Sequence, residues 1–304
     1  MESFVITSIL VYVIGVFGFF GNVNILIAIY NMKPRVKSCL LVGLLAFADL
    51  ICIITEWHSA TRTVVGMKSY QFECFWSISL YLITIKMQTT LMCAMAFDRL
   101  FAFSLPIRYI NLSITPYLIA CCIPGVLSAI FFITYGSLSL TNTRIPACNP
   151  PLAYGPSLSN IWSIWSAVFN CLTLVFSVTA LILMLVKTRR SQRTSTYEQN
   201  ILRNQGKLSK SCAVMIVVFL LTICVSTFML QISRHLNVSK EVIVSIETNA
   251  VLPAMISASQ PYYVYFWCSR MYREAFKRQF KTLNPFRRIF TSKKTSNVAV
   301  LTVP

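Results

Sequence analysis

Long apolar stretches separated by short basic segments limit this sequence to membrane folds. The first stretch, residues 4–30, contains no charged residue and exceeds the roughly 20 residues with which an α-helix crosses a bilayer. Six further stretches, each with at most two charged residues, cover residues 39–60, 75–97, 116–135, 159–186, 211–233 and 242–267. The pattern predicts an all-α membrane protein, a bundle of seven transmembrane helices.

Composition agrees with this fold class. Hydrophobic residues make up 56% of the 304 residues and charged residues only 12%, whereas about a quarter of the residues in soluble domains are charged. The net charge of +18 does not indicate nucleic-acid binding, because the basic residues lie between the apolar stretches rather than in one patch. We expect the lipid bilayer, and no nucleic acid, as a partner.

The distribution of Lys and Arg predicts the topology. With the N-terminus outside, the three inner loops and the C-terminal segment hold 3, 2, 7 and 9 Lys or Arg residues, 21 together, whereas the outer segments hold five. Basic residues accumulate on the cytoplasmic side of membrane proteins. The bias therefore predicts an extracellular N-terminus and a cytoplasmic C-terminus.

The segment after the seventh span differs from the spans. Residues 269–281 alternate basic with apolar side chains at helical spacing, which predicts a short amphipathic helix on the membrane surface. Residues 282–304 are polar and basic, and we expect a disordered cytoplasmic tail. The sequence thus divides into a seven-helix domain, residues 1–281, and this tail.

Two cysteines are placed at the predicted outer face. Cys74 lies at the outer end of the third span, and Cys148 is the only cysteine in a predicted outer loop. The outer face is oxidising, so we expect a disulfide between them, and two free thiols are the alternative. The eleven cysteines as a set show no spacing that indicates a metal site.

An acid and a base close the third span. Asp98-Arg99 is followed by the pattern x-x-Ala-x-x-x-Pro106-x-x-Tyr109, and an ionisable pair at a membrane edge is tolerated where it pairs, snorkels or serves a switch. The dipeptide alone also fits an interfacial anchor. The longer pattern resembles the foot of the third helix and the second cytoplasmic loop of rhodopsin-like G-protein-coupled receptors, with Leu100 where that family usually has Tyr.

Three polar residues lie in the middles of spans one, two and seven. Asn22, Asp49 and Gln260 are expected to face one another rather than lipid, and three separately satisfied side chains are the alternative. The resemblance favours one buried network, because the corresponding residues meet in rhodopsin-like receptors. Gln260-Pro261 departs from the family's Asn-Pro-x-x-Tyr, with a tyrosine on either side of the expected position. A kink is expected at Pro261.

Several departures narrow the resemblance. The sixth span lacks Trp-x-Pro, the fifth lacks Pro, and Lys207 and Lys210 stand at the base of span six where an acid would restrain Arg99. Together with residues 262–273, these features look most like the nematode serpentine chemoreceptors of class sx. The resemblance to the superfamily covers nearly all of residues 10–280, and Cys74 and Cys148 match its hallmark disulfide.

The resemblance implies a G-protein-coupled receptor that transmits the signal of an extracellular ligand, a small molecule or a short peptide. Its coupling residues would be Asp98, Arg99, Pro106 and Tyr109. The implied partners are an extracellular ligand, a cytoplasmic heterotrimeric G protein and arrestin. The implied location is the plasma membrane, with the cilium of a sensory neuron as one expected place. The ligand, the G-protein class and dimerisation stay open.

Ligand contacts are expected in the outer halves of the spans. Amine receptors of the superfamily carry Asp seven residues after the span-three Cys, and this chain has Tyr81 there, which argues against a biogenic amine. Glu56 and Lys86 either pair across helices, or Lys86 balances an acidic ligand; snorkelling is the alternative for any single residue. The candidate ligand-binding residues are Glu56, Trp57, His58, Tyr81, Lys86 and Glu247.

Two modification sites are predicted from local sequence. Asn237 begins an Asn-x-Ser acceptor sequence on the predicted outer side. Cys268, at the end of span seven, is a candidate for palmitoylation, with a plain interfacial thiol as the alternative.

Two other classes of protein fit less well. A transporter would show inverted repeats or Gly/Pro-broken helices in matching halves, and a ligand-gated channel of the insect-odorant type would have its N-terminus inside. An enzyme is the most distant class, because the sequence has no HExxH or Gly-x-Ser-x-Gly motif and only two histidines. We expect no enzymatic activity, cofactor or metal.

Overall fold

The computed structural model describes residues 2–32, 36–67, 69–145, 148–190 and 249–283, together with a few single positions between 214 and 246. In these ranges the chain is almost entirely helical, which confirms the prediction of a helical protein. The helices are α1 (Glu2–Asn31), α2 (Lys37–Val64), α3 (Gln71–Ser77), α4 (Ser79–Ser104), α5 (Pro106–Asn111), α6 (Ile114–Leu138), α7 (Pro150–Arg190), α8 (Val251–Ser259), α9 (Pro261–Cys268) and α10 (Arg270–Leu283), and the strands are β1 (Ser69–Tyr70) and β2 (Arg144–Ile145).

Five described helices are long and apolar enough to cross a membrane. They correspond to the first five predicted spans, with ends that differ by one to seven residues. The sixth predicted span lies almost wholly outside the described residues. The seventh is represented by α8 and α9, so its full length stays a prediction. The five segments are Val5–Asn31, Lys37–Val64, Ser79–Ser104, Ile114–Leu138 and Ser157–Lys187.

The third and fifth spans each begin with an irregular turn. Between α3 and α4, the N–H of Ile78 donates to the carbonyl of Cys74 (3.0 Å), so hydrogen bonding continues across the break. In α7, Gly155 has a φ of 72°, a left-handed conformation that glycine adopts without a Cβ clash. Just before Gly155, Ala153 and Tyr154 pack in one apolar cluster with Cys74 and Phe75.

Helix α4 lies at the centre of the described bundle and contacts α2, α6 and α7, while α1 packs on α2 and α8. Ser79 and Asp98 stand about 29 Å apart along α4 at 1.5 Å per residue. We name the two ends of the bundle by their landmarks. The disulfide end contains Cys74, the β1–β2 pair and the start of α7, and the Asp98 end contains Asp98, α5 and α10.

The short α10 packs back on the bundle at the Asp98 end. Tyr272 and Phe276 are fully buried, and the Gln279 amide donates to the carbonyl of Asn24 (3.1 Å). On the exposed side of α10, Arg270 and Glu274 form an ion pair of 2.7 Å. The helix is present where the sequence predicts it, and its position on a membrane surface stays a prediction.

Helix α1 packs closely on α8 at Gly18. A Cβ added there would overlap Ser259 Oγ and lie 2.7 Å from Ile53 Cδ1. The same serine donates to the carbonyl of Ile14 (3.2 Å). We expect Gly18→Ala to destabilise the protein by about 1–3 kcal/mol, the usual cost of overpacking, as a lower midpoint of thermal unfolding in detergent.

Gly43→Ala is the matched control. It lies inside α2, and an added Cβ would meet only the tip of Ile29 at 3.3 Å. Replacing a mid-helix glycine by alanine otherwise favours the helix. Equal unfolding midpoints for Gly18→Ala and Gly43→Ala would show that the close contact at Gly18 does not determine the stability of the protein.

Candidate functional site

Asp98 is fully buried at the Asp98 end and accepts three hydrogen bonds from hydroxyl groups. Ser38 Oγ donates to Oδ2 at 2.7 Å, and the hydroxyls of Tyr109 and Tyr117 donate to Oδ1 at 2.9 Å each. These donors offset the cost of burying a carboxylate among apolar side chains. Through Asp98, the helices α2, α4, α5 and α6 are joined at one point, which we call the Asp98 cluster (Ser38, Asp98, Arg99, Tyr109 and Tyr117).

Arg99 contacts the same carboxylate less closely. Its Nη2 lies 3.5 Å from Asp98 Oδ2, and its side chain is 7% exposed. Strong hydrogen bonds between guanidinium and carboxylate are shorter, about 2.7–2.9 Å. Asp98 is therefore held mainly by the hydroxyls, and its pairing with Arg99 is the looser contact.

Tyr109 connects α5 to the Asp98 cluster. Burial, and after it the negative charge of Asp98, raises the pKa of the Tyr109 hydroxyl above its ordinary value, so the hydroxyl keeps its proton and donates. Lys37 Nζ donates to the backbone carbonyl of Tyr109 and lies 4.7 Å from the centre of its ring. Pro106 opens α5, where a missing N–H costs no helical hydrogen bond.

The polar residues of spans one, two and seven are only partly brought together. The Asn22 amide donates to the carbonyl of Ala258 (2.9 Å), which joins α1 to α8. The Asp49 carboxylate accepts a hydrogen bond from Gln88 of α4. Asp49, Gln88 and Gln260 line one cavity of about 10 Å³, which is room for roughly one water molecule.

Gln88 is the residue of this group that the sequence reasoning missed. A polar side chain in the middle of a span is itself a signal, because such groups are expected to face other polar groups. Helix α8 ends at Ser259, and α9 begins at Pro261. Gln260 between them keeps helical torsion angles (φ −74°, ψ −28°), so the predicted kink at Pro261 stays a prediction.

A second cavity of about 30 Å³ lies between α2, α4 and α8. Glu56 and Tyr81 lie together at its wall, and Ile85 and Met255 supply apolar surface. The volume accommodates one or two water-sized groups. The polar side chains at its wall are Cys52, Glu56, Tyr81, Gln88, Thr89 and Ser257.

The other candidate ligand contacts lie elsewhere. Trp57 packs on α1, with its ring 5.8 Å from that of Phe19. His58 Nε2 lies 3.2 Å from Ser77 Oγ near the disulfide end. Glu247 lies outside the described residues. Of the six predicted residues, the structure thus places Glu56 and Tyr81 at the cavity.

Lys86 points away from the cavity into a group of aromatic rings. Its Nζ lies 3.6 Å from the ring centre of Phe132, 4.3 Å from Trp165 and 5.3 Å from Trp162. The side chain is fully buried, and within the described residues no carboxylate lies within ion-pair distance of it. Of the alternatives that the sequence left open, a pair between Glu56 and Lys86 is therefore not formed.

We expect Lys86 to act in packing between α4, α6 and α7. Lys86→Ala should reduce the amount of folded protein, because it empties a fully buried volume at a cost of about 2–5 kcal/mol. Lys86→Met should retain most of the fold, since a thioether fills similar space and contacts aromatic rings favourably. Surface expression and thermal stability measure both variants. An equal loss in Lys86→Met would mean that the nitrogen itself is required.

The disulfide end is closed by the predicted bridge. Cys74 and Cys148 form a disulfide with Cα atoms 5.4 Å apart, which confirms the predicted pairing. The Ser59 hydroxyl donates to the carbonyl of Cys148 (3.1 Å), and β1 pairs with β2 in antiparallel register. The loop that precedes α7 is thus tied to α2 and α3.

The predicted modification sites differ in what the structure describes. Cys268 is exposed at the end of α9, directly before α10, so its thiol is accessible and its modification stays a prediction. Asn237 lies outside the described residues, as do Lys207 and Lys210.

Comparison with known proteins gives one result. Residues 15–280 match the family described as serpentine type 7TM GPCR chemoreceptor Srsx. None of the curated proteins matches the chain.

Proposed function

The chain belongs to the serpentine seven-transmembrane chemoreceptor family Srsx, whose match covers residues 15–280, and on this premise we propose that it couples an extracellular ligand to a cytoplasmic G protein. The ligand would be a small molecule or a short peptide. The G protein would be heterotrimeric, with arrestin as a further partner. The receptor would act at the plasma membrane, including the cilium of a sensory neuron.

One observation supports this proposal above the others. Helix α4 carries part of the wall of the larger cavity, Tyr81 and Gln88, and also carries Asp98 and Arg99 at its other end. A ligand changes the balance between two arrangements of helices only if it binds them with different affinity. A shift of α4 on ligand binding would alter the Asp98 cluster, where Arg99 Nη2 lies 3.5 Å from Asp98 Oδ2.

The proposal requires the disulfide end to face outside. An epitope placed before Phe4 should be labelled on intact cells, and an epitope after Pro304 only after permeabilisation, because 21 of the basic residues would then face the cytoplasm. Antibody labelling with and without detergent measures this. The reverse labelling would contradict the receptor topology.

Expression with a panel of G proteins tests the function. Cells that carry the chain would be screened with small odorants and short peptides, and second messengers recorded in parallel with membrane current and uptake of the same compounds. A compound that raises a second messenger only in the presence of one G protein supports the receptor. Current or uptake that is independent of every G protein would favour a channel or a transporter.

A further inference from the structure

The charge of the larger cavity indicates what kind of ligand it takes. Its wall contains the carboxylate of Glu56, and none of the described residues that line it is a lysine, arginine or histidine. Lys86, the basic residue at this depth of α4, is covered by the rings of Phe132 and Trp165. The cavity between α2, α4 and α8 is therefore an acceptor of positive charge.

Glu56 is an acidic residue almost buried inside the bundle. The residue is 9% exposed, and it lines the cavity together with Tyr81. In the described part of the chain, no basic group lies within ion-pair distance of it. A carboxylate accepts up to about four hydrogen bonds, and burying one without a cation is costly. Such a group in a membrane span is a candidate for function.

Glu56 also changes the meaning of Tyr81. The sequence argued against an amine ligand, because Tyr81 stands where amine receptors of the superfamily carry an acid. In the structure, Tyr81 lies at the wall of the cavity, and Glu56 brings a carboxyl group to the same space from α2 instead of α4. The acidic residue is present, and it comes from the neighbouring helix.

We propose that this cavity binds the positively charged head group of the ligand, a primary ammonium, with Glu56 as its counter-charge. The volume of about 30 Å³ suits a head group rather than a whole ligand, because it equals the room for one or two water molecules. The side-chain oxygens of Gln88, Thr89 and Ser257 supply further acceptors. Ile85 and Met255 contact the first apolar atoms behind the head group.

This inference rests on the proposed function, because the cavity receives a signal only if the protein is a receptor. The binding chemistry can nevertheless be measured without any G protein. Full-length protein purified in detergent would be titrated with phenethylammonium, phenethyl alcohol and hydrocinnamate, which share one apolar body and carry a cationic, a neutral and an anionic head. The readout is the midpoint of thermal unfolding, because a ligand that binds the folded state raises it.

We expect phenethylammonium to raise the midpoint more than the alcohol, and hydrocinnamate to have no effect. Glu56→Gln should lower the affinity for phenethylammonium by about tenfold or more, which is what one charge-assisted hydrogen bond contributes. Glu56→Asp keeps the charge and should keep the preference for the cation, so the test survives if Glu56→Gln fails to fold. Lys86→Met is the control and should leave the order of the three probes unchanged.

Other outcomes overturn the inference. Stabilisation by hydrocinnamate, equal stabilisation by the alcohol, an unchanged cation effect in Glu56→Gln, or no effect of any probe would each mean that Glu56 does not bind a cationic head. Cation binding that depends on Glu56, without second-messenger change in any G-protein background, would leave the binding site intact and contradict the proposed coupling.

Discussion

Arg99→Gln is expected to abolish G-protein activation while the protein still reaches the cell surface and binds its ligand. Arg99 lies at the Asp98 end, with Nη2 3.5 Å from Asp98 Oδ2, whereas three hydroxyls hold that carboxylate at 2.7–2.9 Å. Removing the guanidinium leaves the Asp98 cluster with its hydroxyl donors, so the fold should tolerate the change. Second-messenger response at matched surface expression measures it.

Arg108→Gln is the matched control for this experiment. Arg108 is exposed on α5, nine residues further along the chain at the same end of the bundle. If the basic residues here serve only as interfacial anchors, the two variants should behave alike. A normal agonist response in Arg99→Gln would mean that the Asp-Arg pair is an anchor and not a coupling element.

The reverse variant sharpens the same prediction. Asp98→Asn removes the charge that restrains Arg99 and should raise ligand-independent signalling. Tyr117→Phe removes one of the three donors to Asp98 and keeps the charge. We expect it to raise basal signalling much less. If both variants raise it equally, the hydroxyl contacts rather than the charge of Asp98 restrain this end.

The helical spans could be predicted because their signal is local. Hydropathy places the first five spans to within several residues, and the extra turns lie where α2 and α4 continue past their apolar windows into Val64 and Ser104. The break at Ile78 was less visible, because the sequence has no Pro or Gly beside it.

The residues that surround Asp98 were harder to predict, because they come from segments that are far apart in the sequence. Tyr109 was grouped with Asp98 through the resemblance to rhodopsin-like receptors. Ser38 and Tyr117 reach the carboxylate from α2 and α6, and no pattern near Asp98 points to them. A hydroxyl-bearing residue is common in spans, so only the packing of four helices identifies these two donors.

The different roles of Glu56 and Lys86 had a partial signal in the sequence. Residues 81, 85 and 88 recur at the spacing of one helical face, and all three line the larger cavity. Position 86 is rotated by about 100° from position 85 in an α-helix, so Lys86 turns toward α6 and α7. The sequence alone could not say which partner occupies that side, and the ring of Phe132 is what decides it.

Loss of the Cys74–Cys148 disulfide is the second large expected effect, and it should appear as a loss of surface expression. The side chain of Cys74 is buried beside Phe75 and Tyr154 in the apolar cluster of the disulfide end. The bridge closes a loop with a sequence separation of 74. Native disulfides of small secreted domains contribute about 2–5 kcal/mol.

We expect the lower part of that range here, because α4 and α6 lie inside the loop and would remain inserted in the bilayer when tertiary contacts are lost. Cys148→Ser and the double variant Cys74→Ser/Cys148→Ser should lower surface expression equally, since removing either sulfur already breaks the bridge. Cys171→Ser, at an exposed free cysteine of α7, is the control and should express normally. A double variant that expresses much less than Cys148→Ser would assign the loss to packing around buried Cys74 rather than to the bridge.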